Sequence, residues 1–344
     1  MIVTLAISGA GSFGVSLAVG WLVAEYAPRL GLMDMPNARS LHESSTPRGG
    51  GLGIVAGVAT GILLLAASGT APSHQLGVLL LGAAAIATMG LIDDLHPLRV
   101  VYRLSVQLLI ATSVVVALGG VGRLPLPAPL DVSAGWFASP LTVVWLVTVT
   151  NFYNFMDGID GLAGGQAVAS CAGIAIAAWS IGAVYCALIL AAATIGFLVL
   201  NRPPARIFLG DVGSTSLGFI IAGLPLLAPG GQRPIAVFAV AAGLSLFLLD
   251  PVETLLRLAR QGHRIGRAHR VHSYQLLAST QDWRGVTAGT LVAAGFVLAV
   301  AGGLVYRAPW AAWPVAILGL SAFAVERYLA GLARYQEAKR KAES

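Results

Sequence analysis

The sequence predicts an all-α protein, a polytopic transmembrane bundle of about 11 helices with the N-terminus outside and the C-terminus cytoplasmic. Three observations predict it. Of the 344 residues, 57% are hydrophobic and 10% charged, with a mean hydropathy of +0.81, whereas a soluble domain carries about 25% charge. Apolar windows that meet or approach the ~20 residues needed to cross a bilayer recur along the whole chain. Finally, the basic residues fall almost entirely in alternate loops.

The windows run over 2–24, 51–67, 76–92, 104–118, 140–156, 162–179, 183–200, 214–227, 234–256, 287–306 and 311–330. The first has no basic leader or small-residue cleavage site and is longer than a signal-peptide core, so it reads as a retained anchor. The second opens on a glycine run, the third is followed by an Asp pair, and the fourth follows His-Pro-Leu-Arg. The fifth ends in Asn-Phe-Tyr-Asn-Phe. The sixth and seventh carry Cys171 and Cys186, which read as packing residues. The eighth follows Phe-Leu-Gly-Asp, and a basic loop separates the ninth from the tenth. Richness in Ala, Gly, Leu and Val suits close helix approach. No fixed-period repeat and no long soluble segment occur. Residues 1–330 therefore read as one integral membrane domain, and 331–344 as a basic tail.

Counting Lys and Arg loop by loop puts 18 on one side and 3 (Arg123, Arg233 and Arg307) on the other. The crowded side is cytoplasmic, and an odd helix count then sets the termini. The net charge of +6 is mostly this bias, which fits a membrane lipid partner and does not argue for nucleic acid. The acids follow the same division. Asp34, Asp93, Asp94, Asp157, Asp160, Asp211, Asp250 and Asp282 lie on the basic side, and Asp131 alone on the other. Acids contribute little to topology, so chemistry on one face is the better reason. Intramembrane charges cost roughly 2.5–3.5 kcal/mol each at mid-bilayer and are functional by default.

Four loops on that face carry unusual residues. In Met33–Gly53, a glycine run after Thr-Pro-Arg48 can bring backbone N–H groups to an anion, or can be a flexible turn. In Gly90–Arg99, Asp93 and Asp94 point about 100° apart on a helix end. They can hold a divalent cation, or one can act as base; a solvated interfacial pair is the alternative. In Asn151–Gly165, a helix continuing through Asp157 would put Asn151, Asn154 and Asp157 in a drifting stripe, with Gly158 and Gly161 turning Asp160 back. Carboxylates and amides without Cys or His nearby suit Mg2+, with Mn2+ as the alternative, rather than zinc. In Asn201–Phe219, Gly210 and Gly213 flank Asp211, Ser214 and Thr215 can cap the next helix, and Phe208 is available to stack on a base. The loop Arg257–Gln275 adds three histidines and five arginines without an acid; it reads as a phosphate-binding loop or a polybasic lipid contact. Together these fit two phosphate-bearing substrates meeting over a divalent cation.

The ordered set DMPNARSLHESSTPRGGG, LIDDLHPLR, NFYNFMDGIDGLAGG, RIFLGDVGS and HRVHSYQ resembles the polyprenyl-phosphate N-acetylhexosamine-1-phosphate transferases, over roughly Asp34 to Gln275. The resemblance implies transfer of a sugar-1-phosphate from a UDP-N-acetylhexosamine to polyprenyl phosphate with release of UMP. It implies a requirement for Mg2+ and a multi-pass position in the inner membrane with a cytoplasmic active site. It maps metal binding onto Asp211 and Asn154, and the reactive acid pair onto Asp93 and Asp94. It maps nucleotide-sugar contacts onto Asp157 and Asp160, and stacking near the uracil onto Phe208. His269, Arg270 and Arg48 are expected to bind substrate, and His272 to act on the leaving UMP. A compact run of three histidines is replaced here by His269-Arg270-Val271-His272, as in the O-antigen-initiating branch. A simple or deoxy HexNAc is therefore expected in place of the MurNAc-pentapeptide substrate.

A phosphate monoester is largely dianionic at pH 7, so direct in-line transfer needs charge cancellation more than a base. A covalent aspartyl-phosphate route stays open. A secondary transporter, the alternative function, would have acids near mid-bilayer and inverted repeats; neither occurs. The spacing of CDP-alcohol phosphatidyltransferases is also absent. The oligomeric state is open, with a homodimer as one option.

Overall fold

The protein is described from a computed structural model covering residues 2–36, 45–69, 73–262, 272–278 and 284–343. Each of the eleven apolar windows holds a helix. They are α1 (Ile2–Leu30), α2 (Gly51–Ala67), α3 (His74–Leu95), α4 (Val100–Leu118), α5 (Ala138–Phe155), α6 (Leu162–Ala177), α7 (Ile181–Asn201) and α8 (Gly210–Gly223), then the pair α9 (Arg233–Gly243) and α10 (Ser245–Arg260), and after the short α11 (Ser273–Leu277), α12 (Arg284–Arg307) and α13 (Ala312–Glu343). Among the described residues, eight helical spans are long and apolar enough to cross a membrane. A ninth is counted if α9 and α10, bent by 75°, form one span. The helices α2 and α6, with 17 and 16 residues, are shorter. The ninth window is thus one hydrophobic run but two helices, breaking at Leu244. The last helix does not stop at residue 330; α13 continues through the basic tail to Glu343. The only sheet among the described residues is the two-residue pairing of β1 (Met33–Asp34) with β2 (Thr46–Pro47).

The helix α8 is the centre of the bundle, with every residue from Val212 to Gly223 buried. Its neighbours reach it through missing side chains. A Cβ on Gly90 of α3 would lie 2.5 Å from the Asp211 carbonyl oxygen, and one on Gly51 of α2 would overlap Gly213. Close backbone approach of this kind is how membrane helices gain dispersion contact when lipid removes the hydrophobic incentive to pack. Around this centre, Ser8, Ser12 and Ser16 of α1 are buried against the glycine face of α2. The outer faces carry exposed Leu63, Leu81, Val101 and Val116, as a lipid-facing surface requires.

The two ends of the bundle differ in chemistry. One is closed by Arg233, which donates to the carbonyls of Leu118 (2.8 Å) and Gly119 (2.9 Å) at the exposed end of α4. The same end holds the Arg123–Asp131 ion pair (3.1 Å) and exposed Trp136 and Trp310, typical of an interfacial aromatic belt. At the opposite end, the C-termini of α3 and α5 meet the N-terminus of α8, and the acids converge there.

Candidate active site

The site is built around the N-terminus of α8, whose first N–H groups lack partners within the helix. Gly210, at φ +74, lets the chain turn into the helix close against Asp94; a Cβ there would lie 2.7 Å from the Asp94 carboxylate. Asp94 of α3 fills the cap. Its Oδ1 accepts from the Asp211 N–H and its Oδ2 from the Val212 N–H, both at 3.0 Å. Ser214 and Thr215 do not cap this helix, contrary to the sequence-based expectation. They lie within it and donate back to the carbonyls of Gly210 (3.0 Å) and Asp211 (2.5 Å), because the helix begins four residues earlier than the apolar window.

This cap brings Asp211 to α4 and α5. Arg103 Nη1 lies 2.6 Å from Asp93 Oδ2 and 3.3 Å from Asp211 Oδ2. Asp93 Oδ1 also accepts from the Leu98 N–H at 2.6 Å, which holds the turn into α4. Asn154 Nδ2 donates to Asp211 Oδ1 (2.7 Å) and Ser214 Oγ (2.8 Å), so its Oδ1 is the atom left for a ligand. Asn151 diverges from this set and donates to Gln107 Oε1 at 2.6 Å. The expected stripe is therefore cut short. The helix α5 ends at Phe155, and Asp157 lies beyond its C-terminus in the following turn.

Asp157 and Asp160 have different surroundings. Asp160 Oδ2 accepts from the Ala205 N–H at 2.9 Å, and Asn201 bonds both Gly161 N and Ile207 O at 2.9 Å. These bonds staple the 156–161 turn to the 202–209 loop. Asp157 is half-buried, and no hydrogen bond or ion pair of its carboxylate occurs among the described residues. Burial first, then the negative charges of Asp211, Asp94 and Asp160, push its carboxyl up to about 8.

The glycine run needs a correction. Two of its three N–H groups are taken up within the fold: Gly50 N donates to Phe208 O and Gly51 N to Leu209 O, both at 2.9 Å. The run exists because only hydrogen can fit at Gly51 against Gly213 and at Gly50 against Phe197. This docking brings half-buried Phe208 and Arg48 to the site. Arg48 Nη2 donates to the Asp94 carbonyl, while its buried Nε has no partner among the described residues. His272 is mostly buried, with its ring 6.4 Å from that of Phe155. The Tyr274 hydroxyl donates to Phe155 O at 2.9 Å. Burial and the nearby Asp250 and Asp157 charges raise that hydroxyl's pKa, so it stays a donor. His269 and Arg270 lie outside the described residues.

The structure therefore joins Asp93, Asp94, Asn154, Asp211 and Arg48 in one network, with Asp157, Asp160, Phe208 and His272 on its margins. Reading the sequence missed Arg103, which was counted only as a topological charge. The Pro97 turn between two apolar windows is the signal that could have found it, since it folds α4 back along α3.

Asp93, Asp211 and Asn154 Oδ1 form an oxygen-only donor set. Among the described residues no three His, Cys, Asp or Glu side chains converge on one point. A divalent cation would therefore draw its remaining ligands from substrate phosphates or water, the usual habit of Mg2+. The acids outnumber the one guanidinium between them, so the charge balance fits a further cation.

Acids, amides and guanidinium groups gathered at one end of a helical membrane bundle suit an integral membrane protein that handles phosphate groups. The profile of Glycosyl transferase family 4 matches residues 76–228. The chain is 34% identical over 244 residues to the probable undecaprenyl-phosphate N-acetylglucosaminyl 1-phosphate transferase of Bacillus subtilis, covering 70% of this chain and 67% of that protein. It is 29% identical over 259 residues to the phospho-N-acetylmuramoyl-pentapeptide-transferase of Halalkalibacterium halodurans, covering 70% and 78%. It is also 30% identical over 288 residues to the decaprenyl-phosphate N-acetylglucosaminephosphotransferase of Mycolicibacterium smegmatis, covering 73% and 68%. The chain belongs to glycosyl transferase family 4, the polyprenyl-phosphate N-acetylhexosamine-1-phosphate transferases.

Proposed function

We propose that this protein transfers N-acetylhexosamine-1-phosphate from a UDP-sugar to polyprenyl phosphate, releasing UMP, at the cytoplasmic face of the inner membrane. The observation that carries the reading is the Asp93–Arg103–Asp211–Asn154 network at one end of the bundle. The orientation is supported by the 18-to-3 charge division, since the three sparse-side arginines belong to the end away from the network. The basic helical tail after residue 330 then lies on the substrate side.

An acceptor phosphate oxygen attacks the β-phosphorus of the UDP-sugar in line, and the bond from that phosphorus to the bridging oxygen breaks. UMP leaves with the bridging oxygen, and the sugar stays on the phosphorus it arrived with. The acceptor is largely dianionic at pH 7, so repulsion between two anions is the main obstacle. Arg103 and Arg48 offset it, and Asp93 orients Arg103. Asp94 serves the site by fixing the start of α8. Asp157 and Asp160 contact the nucleotide-sugar, Phe208 stacks near the uracil, and His272 donates to the leaving phosphate. Asp93, Asp211 and Asn154 Oδ1 would hold Mg2+, or Mn2+ in its place, which screens the diphosphate charge when bound.

A simple HexNAc is the donor we favour, supported by the N-acetylglucosaminyl names of two of the relatives. Purified protein given polyprenyl phosphate and Mg2+ with UDP-GlcNAc, UDP-GalNAc or their 6-deoxy forms tests this. Lipid-linked label with at least one of these sugars is expected. Turnover of the MurNAc-pentapeptide donor alone would overturn the assignment.

A further inference from the structure

We propose that Asp250 is a positioning residue that works through His272, forming an Asp–His pair that aims the imidazole at the nucleotide-sugar; this rests on the function proposed above. Asp250 is fully buried on α10 and lies away from the acid cluster, in a helix read from sequence only as part of a span. Its carboxylate is organised around the start of α11. Oδ1 accepts from the Ser273 N–H (3.1 Å) and the Thr254 hydroxyl (3.1 Å), and Oδ2 faces the Tyr274 N–H at 3.4 Å. His272 Nδ1 is buried, makes no hydrogen bond among the described residues, and lies 3.5 Å from Oδ1, within ion-pair reach.

The arrangement does more than hold a short helix. A carboxylate this close to Nδ1 favours the proton on that ring nitrogen and leaves Nε2 as the nitrogen to act on a ligand. The same segment is secured on two other sides. Arg327 of α13 donates to Ser273 Oγ at 2.9 Å and pairs with Glu253 at 3.0 Å. Tyr274 is seated on the end of α5 by its bond to Phe155 O and by Gly158, where a Cβ would overlap its hydroxyl. The backbone that follows His272 is thus tied to the two helices that frame the site, α10 and α5. The 75° bend between α9 and α10 turns α10 out of line with α9 and sets the direction of the helix that carries Asp250. A fully buried carboxylate is costly, and its bonds to two N–H groups and a hydroxyl offset that cost.

The test is a double-mutant cycle in the full-length protein, assayed with UDP-GlcNAc and polyprenyl phosphate. Asp250→Asn should lower kcat by about 10- to 100-fold and leave KM for UDP-GlcNAc nearly unchanged. In a His272→Ala background the same change should alter kcat by less than about 2-fold, because the group through which it acts is gone. Equal losses in both backgrounds would mean that Asp250 only supports the fold, and would overturn the inference. If Asp250→Asn does not elute as a folded protein, the cycle is run with Asp250→Glu, which retains the charge, under the same two outcomes. Absence of turnover by the unaltered protein with every UDP-HexNAc would instead count against the function itself.

Discussion

Asp94 accepts hydrogen bonds from the main-chain N–H groups of Asp211 and Val212, so one acid of the motif pair holds the other motif's acid in place. Adjacent Asp93 and Asp94 thus divide their labour. Asp93 faces Arg103, and Asp94 closes the helix that carries Asp211. Asp94→Ala should cost stability as well as activity, about 1–2 kcal/mol for loss of a helix cap. Asp93→Ala should lose activity with a smaller change in melting temperature. Thermal unfolding of both variants in detergent checks this; equal destabilisation would contradict the division.

Arg103 stands between two carboxylates, and its removal leaves both uncompensated. Arg103→Ala should lower kcat/KM by about 10²-fold or more, as expected for loss of one transition-state donor in a closed site. Arg103→Lys should recover part of this, since Lys keeps the charge but loses the guanidinium fork. Steady-state kinetics at saturating Mg2+ decide, and near-normal activity of the alanine variant would remove Arg103 from the site.

Gly158 is required by Tyr274. Gly158→Ala must displace the hydroxyl that ties α11 to Phe155, and activity should fall at least about tenfold, the scale for misplacing a supporting group. Gly231→Ala, in open space at the other end, should be silent. Wild-type activity of Gly158→Ala would show that the Tyr274 contact is dispensable.

Mg2+ binding should depend on pH with a definite sign. The Asp157 carboxyl is pushed up to about 8 by burial and neighbouring acids. It therefore binds a proton below that pH, and a cation arriving nearby must displace it. Affinity should rise as pH increases from 6 towards 8 and level off above, with protons released on binding. Calorimetry in buffers of different ionisation enthalpy reads the release directly. Affinity that is flat across this range would contradict the shift.

Much of this was legible in the sequence. A bilayer demands long apolar runs, and the charge bias marks their ends, so the eleven windows and the functional face could be read from composition and spacing. Asp93, Asn154 and Asp211 could be named because acids and amides at helix ends in lipid have few structural uses. What could not be read were pairings across elements. Whether the Gly50 and Gly51 N–H groups face an anion or the carbonyls of Phe208 and Leu209 depends on two loops distant in sequence. The cap of α8 comes from Asp94, 117 residues before Asp211, and Ser214 and Thr215 looked equally suitable. The break at Leu244 leaves no mark in hydropathy, since both halves are apolar.

The central claim is that the β-phosphorus travels with the sugar. UDP-GlcNAc labelled with 32P at the β-phosphate and 3H in the sugar, incubated with the purified protein, polyprenyl phosphate and Mg2+, tests it most directly. Both labels should enter the lipid in equal amounts, with one unlabelled UMP released per lipid formed. Tritium in the lipid with 32P left in released UDP would mean transfer of the sugar alone, and would contradict the account.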